Sequence, residues 1–253
     1  MTLPTGVLYC GESHPEPYWG RRLGLDDVNE VFALHRRVIR VLSADLVAAE
    51  TRDFFLDHVE CKGRILGLFA RQGLVAYAVL GLPGSEDANF GTDHRLSIDQ
   101  MLRVAHLDGA SVDPLYRGNH LHRLLVHWRL DEARSAGRPI VLSTTAPGNP
   151  YSLDNLLACG LQIRGLMRKF GGWRYLLRRD LDLDAVPAGT GRWVDAEDLT
   201  AHTDLLQAGW RGWMARDGER REILFTPVLE KPVKGWEFQC NEAPLGSQPI
   251  SRQ

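Results

Sequence analysis

Apolar positions recur along the chain with two different periods, and the alternation between those periods lays out an α/β protein. Residues 18–25 read as a first strand, and Asp26 and Asp27 then supply helix-capping carboxylates. Val28, Val31, Phe32, Leu34, Val38 and Leu42 follow at spacings of three and four, which predicts an amphipathic helix. A second helix is expected over 45–59. Residues 64–70 and 74–82 are nearly continuous apolar runs around Arg71-Gln72-Gly73, the pattern of a hairpin at the centre of a sheet. The connection 83–100 is long and contains Gly and Asp, and reads either as a lid or binding loop or as a disordered one. Residues 101–112 return as a fourth strand, with His106, Asp108 and Ala110 on one face if no bulge intervenes. Residues 138–145 read as a buried parallel strand, and the helix before them supplies the crossover. Residues 161–170 and 173–179 look like a closing hairpin around Gly171-Gly172.

Outside this core the pattern weakens. Residues 1–18 hold Pro4, Pro15 and Pro17 among polar positions and read as an irregular leader. Further on, 195–208 has helical spacing at Leu199, Leu205 and Leu206 closed by Gly209, and 210–216 with 221–225 flank the turn signal Asp217-Gly218. Residues 182–225 are therefore expected as a small α/β extension packed on a main domain of 19–181, and 226–253 as an extended or disordered tail. Trp193, Trp210 and Trp213 either line an acceptor pocket or dock the extension on the main sheet.

Composition narrows the class. A chain of 253 residues at 44% hydrophobic content buries one good core and a small appended unit. No apolar run approaches the roughly 20 residues of a membrane span, and the N-terminus lacks the pattern of a signal peptide, so a cytoplasmic location without membrane contact is expected. Cys10, Cys61, Cys159 and Cys240 lie far apart without C-x-x-C spacing, which suggests neither a metal site nor a disulfide framework. The net charge of −2 hides an uneven distribution: −5 over 1–116, +8 over 117–179 and −5 over 180–253. Ten of the eleven cations in the middle block are Arg, whose fork suits phosphate; a polyanionic cosubstrate fits the block, and so does a solvated helix face carrying Arg129, Arg134 and Arg138.

Chemistry concentrates in ASVDPLYRGNHLHRLL, residues 110–125. A strand ends, Pro114 stops it, Gly118 and Asn119 turn the chain, and the spacing of Leu121, Leu124 and Leu125 starts a helix with unpaired N–H groups that attract phosphate. The stretch resembles the acyl-CoA signature Val-x-Pro-x-x-Arg/Gln-Gly-x-Gly-x-Gly/Ala of the GNAT superfamily of N-acyltransferases. Val112, Pro114, Arg117 and Gly118 match it, and His120 and His122 stand at the two later glycine positions. NPYSLDNLLACGL, residues 149–161, resembles the family's Asn-x-x-Ala-x-x-x-Tyr-x-x-x-Gly-Phe segment. Asn149, Gly160 and Leu161 are in register and Ser152 takes the small-residue position, whereas Leu156 stands where many members carry a tyrosine general acid. The resemblance covers about residues 19–181.

The resemblance implies an α/β (α+β) fold with a GNAT-like mixed sheet in the order β-α-α-β-β-β-α-β-α-β-β. It also implies that acetyl-CoA or another acyl-CoA donates its acyl group to a primary amine by direct attack in a ternary complex. The pantetheine arm would pair near Ser111 and Val112, and Arg117, Gly118, Asn119, His120, Leu121 and His122 would hold the pyrophosphate, with Asn149 and Ser152 also at the cofactor. The glutamate that histone-type members use as general base falls near His106, which Asp108 would orient if a bulge or turn brings it close. With Leu156 in place of tyrosine, the leaving thiolate takes its proton from water, Cys159, Ser152 or Tyr151. If His120 and His122 crowd the pyrophosphate, the donor is instead a larger anion such as aminoacyl-tRNA or a carrier-protein phosphopantetheine. The missing glycines and tyrosine also fit a GNAT-like binding module without catalysis. The acceptor is left unnamed, and a homodimer through the hairpin or extension is compatible with the pattern.

Overall fold

The computed structural model describes residues 3–9, 15–40, 46 and 49–232. Cys10, Leu42, Asp45, Cys240 and the segment 233–253 therefore lie outside the described residues. In chain order the elements are β1 Thr5–Leu8, β2 Glu16–Arg22, α1 Val28–Ile39, α2 Arg52–Asp57 running into a π-helical turn at His58–Lys62, β3 Gly63–Ala70, β4 Gly73–Gly81, α3 Ile98–Met101 and β5 Val104–Val112. Then come α4 Leu121–Ser135, β6 Ile140–Thr145, α5 Pro150–Ala158, β7 Gln162–Lys169, β8 Gly172–Asp180, β9 Leu183–Pro187, β10 Arg192–Asp195, α6 Leu199–Gln207, β11 Arg211–Arg216, β12 Glu222–Thr226 and β13 Val228–Pro232.

Eleven strands form one sheet in the order β1-β2-β3-β4-β5-β6-β8-β7-β11-β12-β10. β5 and β6 run parallel, with α4 as the crossover, and the other neighbours are antiparallel. The expected mixed sheet is present, in the expected order from β2 to β8, with the short α3 added before β5. Four local expectations change. Thr5–Leu8 is a strand paired with β2 rather than irregular leader, because Leu8 is fully buried and Pro17 sits in β2 beyond the stretch that pairs with β3. The second helix shortens to α2, whose start is set by Thr51 accepting the Phe54 N–H at 3.2 Å. The connection 83–100 is ordered around a single turn at Phe90–Thr92 and the capped helix α3. Finally, β13 pairs with β9 where an extended or disordered end was expected.

β4 is buried on both faces, which explains its unbroken apolar run. Tyr77 and Val79 face Val31, Leu34, Val38 and Phe55 of α1 and α2, whereas Ala76 and Ala78 face Leu121, Leu125 and Trp128 of α4. A third cluster, including Val126, Leu130, Leu153, Leu156, Tyr175, Val194 and Phe225, joins α4, α5 and the added strands β10 and β12 to the same sheet. Trp210 packs against this cluster, and Trp193 lies under Arg216 at 4.0 Å.

Two charged side chains of α4 decide how the helix sits. Arg129 is 1% exposed and donates to the carbonyls of Val79 and Asp108 at 3.2 and 3.1 Å. These carbonyls lie at a β-bulge, since Ala78 pairs with Ala110 but Leu80 pairs with Leu107. The extra residue resets the alternation: Ala110 joins the α4 face with Ala76 and Ala78, while Ser111 joins Tyr77 on the α1 face. The condition for Ala110 to share a face with Asp108, an unbulged strand, is thus not met. Farther along the helix, the buried Glu132 takes ion pairs from Arg22 and Arg64, tying α4 to β2 and β3. At the start of the helix, His120 adopts φ 56° and ψ 17°, a left-handed conformation that costs an L-residue about 1–2 kcal/mol.

Replacing Glu132 with Ala leaves two guanidinium groups over an apolar helix face. It is expected to cost about 3 kcal/mol, the low end for a broken buried pair because both arginines can reach solvent, and to lower the midpoint of urea unfolding. An unchanged midpoint would contradict the role given to this carboxylate. Replacing His120 with Gly relieves the left-handed strain but frees the unfolded chain, so the expected net gain is up to about 1 kcal/mol, whereas Ala at the same position gains nothing. A midpoint that falls in the glycine variant would show that the His120 side chain supports the loop.

Candidate active site

The site begins where two strands stop pairing. β5 and β6 are joined through Val104–Ile140, Ala105–Val141 and His106–Leu142, after which the Ser143 hydroxyl donates to the Leu107 carbonyl at 2.9 Å. Beyond that link β5 keeps its ladder to β4 as far as Val112, and β6 keeps its ladder to β8 as far as Thr145. Their facing edges open onto a cavity of about 830 Å3 lined by residues 107–112 and 143–146. This volume is typical of small-molecule sites, and the unpaired edge groups call for an extended, amide-bearing occupant.

One end of the cavity is built for an anion. Arg117, Gly118, His120, Leu121 and His122 line it, and no side chain caps the N-terminus of α4. By contrast, α5 is capped by Asn149, whose Oδ1 accepts the Ser152 N–H at 3.1 Å. The first-turn N–H groups of the 15-residue α4 are thus offered to a ligand. Gly118 has φ 83°, and a Cβ there would meet nothing within 4 Å, so the space above the turn is open. The Asn155 amide lies 3.4 Å from His122 Nδ1, which leaves the proton on Nε2; burial and the Arg129 charge push the ring down to about 3. His122 is therefore a neutral donor. Ser111, Val112, Asn149 and Ser152 also line the cavity. Asn119 does not: its amide accepts the Tyr9 N–H at 2.7 Å and donates to the Tyr9 and Tyr116 carbonyls, strapping the N-terminal segment to the loop. Its side chain is thus engaged away from the expected place at the pyrophosphate.

At the other end, two of the three expected catalytic residues are placed elsewhere. His106 is 5% exposed, stacks on Phe90 at 4.2 Å and accepts the Phe90 N–H on Nε2 at 3.1 Å. Burial lowers its pKa despite the nearby Asp108, and it is absent from the cavity lining. It anchors the 83–100 loop. Cys159 is buried in the α4–α5 cluster, with Sγ directed at the Arg123 carbonyl and His127, and burial raises its pKa. Asp108 does line the cavity, on the same face as His106 and with its carboxylate toward His58.

The partners of Asp108 carry no motif. His58 Nε2 lies 3.5 Å from Asp108 Oδ2; burial opposes its protonation, but Asp108 and the Phe54 carbonyl outweigh that and raise its pKa. Glu50, in the same wall, has its carboxyl pushed up by burial and by repulsion from Asp108. Next to them, the Glu50 N–H donates to His35 Nε2 at 3.0 Å, so the His35 proton sits on Nδ1 and is donated to Tyr77 Oη at 2.7 Å. With Ser111 Oγ also donating to Tyr77 at 3.3 Å, the phenolic proton is left to point into the cavity. Burial raises the Tyr77 pKa, which keeps it protonated. Leu156, at the position of the family tyrosine, lines the cavity as an apolar wall, and Tyr151, 83% exposed, stands at its mouth.

The basic block is mostly spent inside the protein. Arg164 and Arg178 pair with Asp180, Lys169 pairs with Asp93, Arg134 pairs with Asp131, and Arg138 and Arg179 donate to backbone carbonyls. A broad surface for a nucleic acid is not what these cations build. Among the described residues there is no cluster of metal-binding side chains, and no helix is long and apolar enough to cross a membrane.

No protein-family model matches the sequence, and no curated protein matches it. Solved structures do. A GNAT-family acetyltransferase from Streptococcus pneumoniae matches with a TM-score of 0.52 at 16% identity, over 65% of this chain and 99% of that one. A protein from Salmonella typhimurium assigned as an acetyltransferase, solved with acetyl-CoA, matches at 0.51 and 18% identity, over 68% and 99%. A ribosomal-protein-S5-alanine acetyltransferase from Vibrio fischeri matches at 0.50 and 16% identity, over 65% and 93%. With its parallel pair splayed open beside an uncapped helix, this chain has the fold of the GNAT acetyltransferases.

Proposed function

We propose that the protein is an N-acyltransferase that moves an acyl group, acetyl in the simplest case, from coenzyme A to a primary amine. The observation that carries this reading is the single cavity that joins the open β5–β6 edges, the uncapped α4 N-terminus and the Glu50–Asp108 carboxylates. Acyl-CoA supplies a thioester carbonyl activated toward an amine. The α4 N–H groups and Arg117 bind its pyrophosphate, and the β5 edge from Gly109 to Val112 pairs with the amide-bearing arm. Glu50 takes the proton from the ammonium, directly or through water, so that the neutral amine attacks. Asp108 and His58 hold the second charge beside it. The Tyr77 hydroxyl, fixed by His35 and Ser111, is the proton donor facing the reacting groups, in place of the tyrosine that Leu156 replaces. The internal pairing of the basic block favours coenzyme A over a tRNA donor.

The raised Glu50 carboxyl gives the pH dependence its sign. A base must be deprotonated, so kcat/KM rises with pH through the Glu50 titration; removing the Asp108 charge lowers that pKa and moves the acid limb to lower pH. The expected result, from CoA release with acetyl-CoA and a panel of amines, is a limb displaced toward acid in Asp108→Asn. In Glu50→Gln the limb is lost and turnover falls about 100-fold or more. A Glu50→Gln profile that overlays wild type rules out this base, and no CoA release with any amine rules out the reaction.

A further inference from the structure

Arg174 on β8 is 6% exposed and lines the cavity. Its hydrogen bond is from Nη1 to the carbonyl of its own neighbour, Trp173, at 2.9 Å. Among the described residues no carboxylate lies within ion-pair distance of it, whereas Arg164, Lys169 and Arg178 nearby each have one. The rest of its guanidinium is left facing the cavity, where a carboxylate could meet it in a forked, charge-assisted pair. The next residue, Tyr175, belongs to the cluster on the α4–α5 face and meets His202 there, so alternation puts Arg174 on the opposite face. That is the face of Tyr77 and α1, where Glu50 and Asp108 also open into the cavity. Phe90 and Phe170 supply apolar wall in the same cavity, with ring centroids 6.3 Å apart. The phosphates of the donor already have the α4 N-terminus and Arg117.

We propose that the acceptor is a free amino acid with an apolar side chain, its ammonium held at Glu50 and Asp108, its carboxylate at Arg174 and its side chain against Phe90 and Phe170. This rests on the acyl-transfer reading for its chemistry, but the binding claim is tested without turnover. A peptide N-terminus carries no carboxylate next to its amine, so it leaves the Arg174 charge unmet.

The test is titration calorimetry of the full chain, with and without CoA, against L-phenylalanine, L-leucine and L-methionine, against their C-terminal amides, and against phenethylamine. Free amino acids are expected to bind at least tenfold more tightly than their amides, because a charged carboxylate desolvated on Arg174 is worth well over one order of magnitude. Arg174→Gln is expected to erase that preference, and Arg174→Lys to restore part of it. Equal binding of acids and amides, tighter binding of the amides, or no binding of any free amino acid overturns the proposal. If Arg174→Gln fails to fold, the acid–amide ratio in the wild-type protein decides alone. Absence of CoA release with every amine is a separate result that removes the acyl-transfer reading and leaves the amino-acid site standing or falling on the titration.

Discussion

Arg129 donates from a fully buried guanidinium to the carbonyls of Val79 and Asp108, and this contact holds the bulge on which the rest of the cleft depends. A bulge leaves ladder groups without partners, and each unsatisfied buried carbonyl costs about 1–3 kcal/mol. Arg129 meets two of them, and a charge placed there without an ion-pair partner is tolerated because Asp108 attracts it while burial draws its pKa down to about 10. With the bulge fixed, Asp108 and Ser111 open into the cavity on the side of Tyr77, Leu107 bonds to Ser143, and β5 turns away from β6.

The two ends of the cleft solve different electrostatic problems. At α4 the protein presents backbone N–H groups, one exposed arginine and a neutral histidine, an arrangement suited to an anion. At β4 and β5 it places two carboxylates and a histidine close together, so that burial and repulsion from Asp108 lift the Glu50 carboxyl above its usual pKa. The 83–100 loop closes the second end through Phe90, which is fixed by stacking on His106 and by Lys169 at 4.8 Å from its ring centre. An expected base has become the post on which a wall of the site is hung.

Much of the fold was legible in periodicity. The apolar runs of β3 and β4, the turn at Gly118 and the leucines of α4 each state a local preference that packing then satisfies. The anion end was legible as well, because a strand–turn–helix junction is a local object: Arg117, Gly118, His120, Leu121 and His122 all line the cavity. The carboxylate end was not. Glu50 and His58 sit in unpatterned segments and meet Asp108 only through the pairing of β4 with β5, which counting residues back from Val112 cannot supply once a bulge shifts the phase. Cys159 lies within a motif but reads first as a buried structural thiol, and its place at the end of α5 does turn it into the core. The engagement of the Asn119 side chain was hidden for a similar reason, since its partner Tyr9 is 110 residues away. Charge counting also misled, since cations such as Arg164 and Lys169 have carboxylate partners that only the fold brings near.

The central claim is that the open β5–β6 edges and the α4 N-terminus together receive coenzyme A. Titration calorimetry with acetyl-CoA, alongside a tRNA pool at low and high salt, tests it most directly. The account predicts saturable one-to-one binding of acetyl-CoA that survives moderate salt, with no binding of tRNA. No heat from acetyl-CoA at any accessible concentration, or salt-sensitive binding of tRNA in its place, would contradict it.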